Sequence, residues 1–136
     1  MNWTLEVVVV PVSDVDRAKA FYVDQVGFDL DHDTKIDEGI RVVQLTPPGS
    51  GCSIVMGEGA VPPMPPGSLK GLQLVVPDVH AARAELLDRG VAVSEVQVMG
   101  ENPVPGGEPL DNVGFVFFDD PDGNGWAVQQ ISSRAT

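Results

Sequence analysis

The chain has 136 residues, of which 43% are hydrophobic and 21% are charged. A chain of this length and composition can bury roughly two thirds of its unfolded surface, so it predicts one folded domain and excludes a disordered protein. Acidic residues outnumber basic ones by 20 to 8, and the net charge of −12 argues against nucleic acid or a membrane surface as a partner.

The first half of the chain predicts a strand, a helix and three further strands. Residues Leu5 to Val10 are rich in valine, whose β-branched side chains favour a buried strand. A helix follows between a cap at Ser13 or Asp14 and the C-terminal Gly27, with apolar residues at helical spacing. Short apolar runs then predict strands at 28–32, 40–46 and 52–56.

The second half repeats this order after a linker. Residues 58–70 are rich in proline and cannot continue a helix or a central strand. A strand at Leu72 to Val76 and a helix that ends at Gly90 come next. Further strands are predicted at 91–96, 113–118 and 126–131.

Internal similarity indicates a duplicated module. VSDVDRAKAFYVDQVG in the first half matches VPDVHAARAELLDRG in the second, and LTPPGSGCSIV matches FDDPDGNGWAV. We therefore predict one α+β domain made of two βαβββ modules, residues 1–57 and 71–136, joined by the 58–70 linker. Apposing the sheet faces that no helix covers would make a cup, the natural place for a ligand. A ferredoxin-like repeat, with one strand fewer per helix, is the alternative.

Cysteine usage and the N-terminal residues predict a cytoplasmic protein. Cys52 is the only cysteine, so no intramolecular disulfide can form. The N-terminal residues lack the basic region and apolar run of a secretion signal. The longest apolar stretch, Val7 to Val12, is far short of the roughly 20 residues that a membrane span needs.

Motifs that could carry chemistry have simpler structural interpretations. His32 and His80 each lie beside aspartates, as exposed surface histidines often do. The run DPDGNG matches the opening of a calcium-binding loop, but its twelfth position is Ile131, where a glutamate is required. We predict a hairpin turn there. Cys52 has no histidine placed beside it by sequence and is interpreted as a small hydrophobic residue.

Four segments together resemble vicinal-oxygen-chelate proteins, the superfamily of glyoxalases, bleomycin-resistance proteins and dioxygenases. They are VSDVDRAKAFYVDQVGFDLDHD, RVVQLTPPGSGCSI, PPGSLKGLQLVVPDV and DDPDGNGWAVQQ, and they follow the family's order over most of the chain. The resemblance implies the cup-shaped mixed sheet of the glyoxalase/bleomycin-resistance/dioxygenase fold. It also implies a homodimer, since members commonly enclose their sites across a two-fold interface.

The positions that usually hold metal ligands carry residues unsuited to the task. The resemblance implies that enzymes of this family bind one divalent ion through His, Gln or Glu on matching strands of the two modules, leaving open positions for substrate oxygens. The V-x-D and DPDG motifs place these ligands at Val7, Ser53, Leu72 and Ala127. We therefore expect neither a metal nor another cofactor.

The inward faces of the predicted cup supply the candidate ligand-binding residues. Strand alternation and the family alignment together select Val7, Val9, Gln44, Ser53, Leu72, Leu74, Phe115, Phe117, Ala127 and Gln129. Phe115, Phe117 and Trp126 would contact a planar ligand, although strand aromatics also serve as plain core. The Pro- and Gly-rich loop at 100–112 is either a lid over the site or an ordinary surface loop.

Three functions are compatible with the sequence, and the first two of them involve a small-molecule partner. The first is a protein that binds a hydrophobic or aromatic small molecule without chemistry, as the bleomycin-resistance branch does, and the absent metal ligands favour it. The second is a lyase or isomerase of the same fold acting on a small carbonyl compound; its acid or base is unknown, and the candidates are Glu6, Glu38, Glu108 and Asp111. The third, a structural module, has no supporting charge stripe or apolar helix face.

Overall fold

The computed structural model describes residues 1–134, which form eight strands and four helical segments. In the first half these are β1 (Val7–Val9), α1 (Val15–Ala20), a π-helical turn (Phe21–Val26), β2 (Asp29–Asp37), β3 (Ile40–Thr46) and β4 (Ser53–Glu58). In the second half they are β5 (Leu72–Val76), α2 (Val79–Asp88), β6 (Gln97–Val98), β7 (Gly114–Asp119), β8 (Gly125–Gln130) and a 3₁₀ turn (Ser132–Arg134). The predicted α+β architecture of two βαβββ modules is confirmed.

The chain divides into two compact units. The first unit contains residues 1–69 together with 120–124, and the second contains residues 70–119 together with those from 125 onward. Within the described residues, every helix is too short or too polar to traverse a lipid bilayer.

The first unit has a four-stranded mixed sheet in the order β1-β4-β3-β2. Strand β1 pairs in parallel with β4, and the other pairs are antiparallel. Helix α1 covers one face, where alternate sheet residues are buried with the helix; these include Val10, Val43, Leu45, Ile54, Met56, Ala18 and Tyr22. The alternate residues Val7, Val9 and Val55 point to the opposite face, as period-two alternation requires.

The helical segment formed by α1 and the π-helical turn begins and ends where the sequence predicts. The carboxylate of Asp14 accepts a hydrogen bond from the backbone N–H of Arg17 at 3.0 Å, which satisfies a free donor of the first turn. Gly27 ends the segment with φ of 87°, a left-handed conformation that glycine adopts without steric cost. The last part, Phe21–Val26, is wound as a π-helix rather than an α-helix.

An ion-pair network attaches α1 to the sheet. Arg41 on β3 donates from Nε and Nη2 to both oxygens of Asp33, at 2.9 and 2.7 Å, and Lys19 of α1 donates to the same carboxylate at 2.8 Å. Asp16 of α1 also pairs with Arg41. These hydrogen bonds, first from Arg41 and then from Lys19, hold the pKa of Asp33 well below its usual range.

The DPDGNG run forms the predicted hairpin turn, and its residues 120–124 belong to the first unit. Tyr22 donates from its hydroxyl to Asp120 Oδ2 at 2.8 Å, and the Asn124 amide donates to the same oxygen at 2.7 Å. Asn124 also donates to the carbonyl of Pro11 at 2.8 Å. Asp120 and Asn124 are buried, which this full set of hydrogen bonds makes tolerable. The carboxylate of Asp120 therefore stabilises the hairpin turn through these hydrogen bonds.

The second unit has a sheet in the order β5-β8-β7-β6, again with one parallel pair, β5 with β8. Helix α2 covers one face. The side-chain oxygen of Gln130, which lies on this face, accepts a hydrogen bond from the N–H of Val79 at the start of the helix. Trp126, Val128 and Val116 are buried on this face. The face opposite α2 therefore carries the alternate residues of β5, β7 and β8.

The prediction of a strand at 91–96 is wrong, because the segment that pairs regularly with β7 after α2 is Gln97–Val98. Ser94 interrupts the ladder. Its N–H donates to the carbonyl of Phe117, but the N–H of Phe117 donates to the hydroxyl of Ser94, and Arg83 occupies the carbonyl of Ser94. A side-chain acceptor thus replaces the backbone acceptor that a regular strand would provide.

Candidate functional site

The face of the second sheet opposite α2 is the best candidate for a binding surface, and we call it the second open face. Register fixes its members, since residues paired across neighbouring strands point to the same side. One row contains Gln73, Ala127 and Phe117, and the next contains Val75, Gln129 and Phe115. Ala127, whose side chain is a single carbon, lies between Gln73 and Phe117 in the first row.

Two phenylalanines give this face an aromatic surface. The rings of Phe115 and Phe117 lie parallel, with centroids 6.0 Å apart and an interplanar angle of 7°. Both are half-buried and lie on the side away from the helix. Trp126, the third expected aromatic contact, was predicted wrongly, because it is buried on the α2 side and stacks on Phe118.

Two glutamine amides lie beside the aromatic surface. Gln73 donates from Nε2 to Oε1 of Gln129 at 2.6 Å, and Gln129 donates from Nε2 to the backbone carbonyl of Asn112 at 2.9 Å. Gln73 is exposed, whereas Gln129 is half-buried. The residues of both rows are therefore aromatic, aliphatic or amide in character, and they contain no ionisable side chain.

The placement of Leu72 and Leu74 on the inward face was wrong. They pair with Trp126 and Val128, so they lie on the α2 side, while Gln73 lies on the second open face. A slip of one residue inverts every side chain of a strand, and the predicted match of Val7 with Leu72 contained such a slip. Alignment on the prolines that follow the two strands, Pro11 and Pro77, would have matched Val7 with Gln73 correctly.

The first sheet brings its four predicted residues together on one face. Val7 pairs with Ser53, while Val9 and Gln44 both pair with Val55, so these side chains share the side away from α1. We call this the first open face. Ser53 is 6% exposed, and its hydroxyl lies 2.6 Å from that of Thr46, which also hydrogen-bonds to Asp31. This face is aliphatic with one hydroxyl and carboxylate cluster.

The four candidate acid–base groups lie on separate elements of the chain. Glu6, Glu38 and Glu108 are exposed. Asp111 accepts hydrogen bonds from Ser132 and Gln130, which lower the pKa of its carboxyl, the Ser132 hydroxyl most strongly. Asp111 is thereby ionised and engaged in holding the loop to the 3₁₀ turn.

A cavity of about 580 Å³ opens beside the start of α2, in the second unit. It is lined by Pro77, Asp78, His80, Glu108, Pro109, Leu110, Gln130 and Ser132. Asp78 is the N-cap of α2 and accepts from the N–H of Ala81 at 3.1 Å. His80 is exposed, as predicted. The cavity lies on the α2 side and contains none of the candidate ligand-binding residues.

The residues at the family's metal positions do not fit a metal ion. Val7 and Ala127 have no donor atom, and the Ser53 hydroxyl is hydrogen-bonded to Thr46. Gln73, which the observed register puts in the place predicted for Leu72, offers a single amide oxygen. Thiolate, imidazole and carboxylate ligands are the usual requirement for a divalent transition metal. Across residues 1–134, no three His, Cys, Asp or Glu side chains are grouped so that they could hold an ion.

Solved structures with this fold include several close relatives of the chain. TnmS3, an antibiotic binding protein from Streptomyces sp. CB03234, is 40% identical, with a TM-score of 0.72 over 95% of this chain and 96% of the other. A glyoxalase/bleomycin resistance protein from the same organism is 42% identical, with a TM-score of 0.69 over 93% and 100% of the two chains. A superfamily member from Sphaerobacter thermophilus DSM 20745 is 27% identical, with a TM-score of 0.75 over 96% and 98%.

A family model provides the assignment over nearly the whole chain. Residues 4–128 match the model of the Glyoxalase/Bleomycin resistance protein/Dioxygenase superfamily. No curated protein sequence matches the chain. The match spans both βαβββ modules and agrees with the solved relatives. The chain therefore belongs to the Glyoxalase/Bleomycin resistance protein/Dioxygenase superfamily.

Proposed function

We propose that the protein binds a planar, largely apolar small molecule of the antibiotic type and sequesters it without chemical change. The observation that carries this proposal is the parallel pair Phe115 and Phe117 on the second open face, beside the amides of Gln73 and Gln129. Parallel aromatic rings favour a further flat ring by stacking and by burial of apolar area. The identity of 40% to an antibiotic binding protein supports the same class of ligand.

The chemical character of the second open face supports binding rather than catalysis. A general acid or base needs a titratable side chain within hydrogen-bond reach of the reacting atom. The six side chains of the two rows are phenyl, alkyl or amide groups, none of which exchanges a proton near neutral pH. Such a face can hold and orient a ligand but has no group to move a proton.

The first open face is proposed, by itself, as an apolar binding surface. Val7, Val9, Gln44 and Ser53 share that side of the first sheet, and their largely aliphatic character suits an apolar molecule. From the family resemblance we also propose a cytoplasmic homodimer. The exposed apolar residues near the N-terminus, Trp3 at 87% and Leu5 at 70%, support self-association, which light scattering on the purified protein measures.

A binding screen with product analysis tests the proposed function. Doxorubicin and bleomycin A2 serve as antibiotics with planar aromatic systems, and ampicillin serves as a non-planar control. At a ligand concentration of 100 times Kd, binding adds about 2.7 kcal/mol to the free energy of unfolding and raises Tm by roughly 5–10 °C. We expect at least one planar compound, but not ampicillin, to do so, and mass spectrometry to recover it unchanged.

Substitutions test whether the bound molecule lies on the proposed face. Phe117→Leu should weaken binding about tenfold, since it removes the stacking ring but retains an apolar side chain. Leu87→Ala is the matched control, because Leu87 is 46% exposed on α2 of the same unit. Turnover of a bound compound, or equal affinities for all three proteins, would contradict the proposal.

A further inference from the structure

Four asparagine and glutamine residues form a hydrogen-bond chain from the 100–112 loop to the second open face, with the backbone carbonyl of Asn112 as one of its links. At its far end, Asn102 accepts from the N–H of Val104 at 3.1 Å through Oδ1 and donates from Nδ2 to the carbonyl of Glu108 at 2.8 Å. A backbone N–H can only donate and a backbone carbonyl can only accept. The orientation of the Asn102 amide is therefore determined by the backbone of its own loop.

Asn112 continues the hydrogen-bond chain toward the sheet. Its Nδ2 donates to Oδ1 of Asn102 at 3.0 Å, and its N–H donates to the carbonyl of Gln130 at 2.8 Å. Its φ is 70°, the left-handed conformation that asparagine tolerates better than most residues. This conformation presents the carbonyl of Asn112 to Gln129, whose Nε2 donates to it at 2.9 Å.

The direction of the last hydrogen bond follows from the earlier ones. Because the carbonyl of Asn112 accepts only, the nitrogen of Gln129 must point to it and the oxygen of Gln129 must point to Gln73. Gln73 must then donate, which it does at 2.6 Å. Among the described residues, the oxygen of Gln73 and its second N–H have no hydrogen-bond partner, and the side chain is exposed.

We infer that Gln73 is a specificity-determining residue, held in one orientation by Gln129 and the backbone carbonyl of Asn112, and that it selects planar ligands with a carboxamide-like pair of one acceptor and one donor. The inference rests on the proposed function, because it places the ligand on the second open face. The planar amide of Gln73 offers one acceptor and one donor in the same plane, in the row that also contains Ala127 and Phe117. A ligand amide satisfies both groups, whereas an ester satisfies only the donor and leaves the Gln73 oxygen facing an acceptor.

The test compares two probes of nearly equal shape, 2-naphthamide and methyl 2-naphthoate, by isothermal titration calorimetry. One additional hydrogen bond corresponds to a factor of about 3 to 10 in affinity, so we expect the wild-type protein to prefer the amide by that factor. Gln73→Met preserves the length of the side chain without its amide. It should bind both probes within about twofold of each other.

Two further variants test whether Gln129 and the backbone carbonyl of Asn112 orient Gln73. Gln129→Leu should reduce the preference for 2-naphthamide to less than about threefold, because it removes the partner of the Gln73 amide. Asn112→Gly should retain the preference, because glycine keeps the backbone carbonyl and accepts a φ of 70°. A Gln129→Leu protein that has a lower Tm but keeps the wild-type preference would overturn this orienting role.

The outcomes separate this inference from the proposed function. If both probes bind and Phe117→Leu weakens both, but the wild-type protein shows no preference or Gln73→Met retains it, the selection by Gln73 is overturned and the binding function stands. If neither probe binds to the wild-type protein at millimolar concentration, the aromatic binding face and the inference built on it are both overturned.

Discussion

The two open faces of this protein are built on the same βαβββ plan, yet they present different chemistry. The first carries valines with a hydroxyl and carboxylate cluster around Ser53. The second carries stacked phenylalanines and linked glutamine amides. On their helix-covered sides, both sheets are alike in being dominated by buried aliphatic and aromatic residues. Packing against the helix therefore constrains the residues on one side of each sheet, whereas the residues on the other side are free to form a binding surface.

The largest expected effect concerns the fold rather than the binding face. Asp120→Ala removes an acceptor that serves Tyr22, Asn124 and the N–H of Asp122. Leaving buried donors unsatisfied should lower the free energy of unfolding by about 3 kcal/mol and Tm by roughly 10 °C. Differential scanning calorimetry measures the change, with the exposed Pro121→Ala as control. A loss below about 1 kcal/mol would show that water replaces Asp120 at little cost.

The ion pair under α1 should make stability depend on pH. The pKa of Asp33 is lowered in the folded state by hydrogen bonds from Arg41 and Lys19, so its stabilisation is fully present above the unfolded pKa of about 3.9 and is lost as pH falls below it. Asp33→Asn should cost about 2 kcal/mol at pH 7. Urea unfolding should show the difference between variant and wild type shrinking below about pH 4; a constant difference between pH 7 and pH 3 would contradict the ion-pair explanation.

The register of β5 is tested by a pair of neighbouring substitutions. Leu74 is half-buried on the α2 side, whereas Gln73 is exposed on the second open face. Leu74→Ala should therefore lower the free energy of unfolding by about 1–2 kcal/mol and leave probe affinity unchanged. Gln73→Ala should change stability by less than about 0.5 kcal/mol. The opposite pattern, with the larger stability loss at Gln73, would require the register to be shifted by one residue.

Substituting one glutamine on each open face compares directly how much the two faces contribute to ligand affinity. Gln44 and Gln129 carry the same side chain on the first and second open faces. Gln129→Leu should weaken binding of 2-naphthamide about tenfold, since it releases Gln73, whereas Gln44→Leu should weaken it threefold or less. Calorimetric titration of both variants provides the comparison. An equal or larger loss for Gln44→Leu would move the main ligand contact to the first sheet.

The candidate site could be predicted in part from the sequence. Alternation along β3, β4, β7 and β8 assigned Gln44, Ser53, Phe115 and Gln129 to the faces that no helix covers, because residues two positions apart on a strand share a face. It failed on β5, where Leu72–Val76 is apolar at four of five positions and the pattern does not distinguish the two faces. It also failed on Trp126, whose stacking on Phe118 depends on a cross-strand neighbour.

The sequence by itself determined the order of elements, the duplication and the family, because turn residues, helix caps and hydrophobic periodicity are local signals. Asp14, Gly27 and the PDG turn act within a few residues of their own positions. Only the tertiary structure decided the register of β5, the interruption at Ser94 and the amide chain from Asn102 to Gln73. These features depend on which backbone groups meet across residues distant in sequence, and the composition of a single segment does not contain that information.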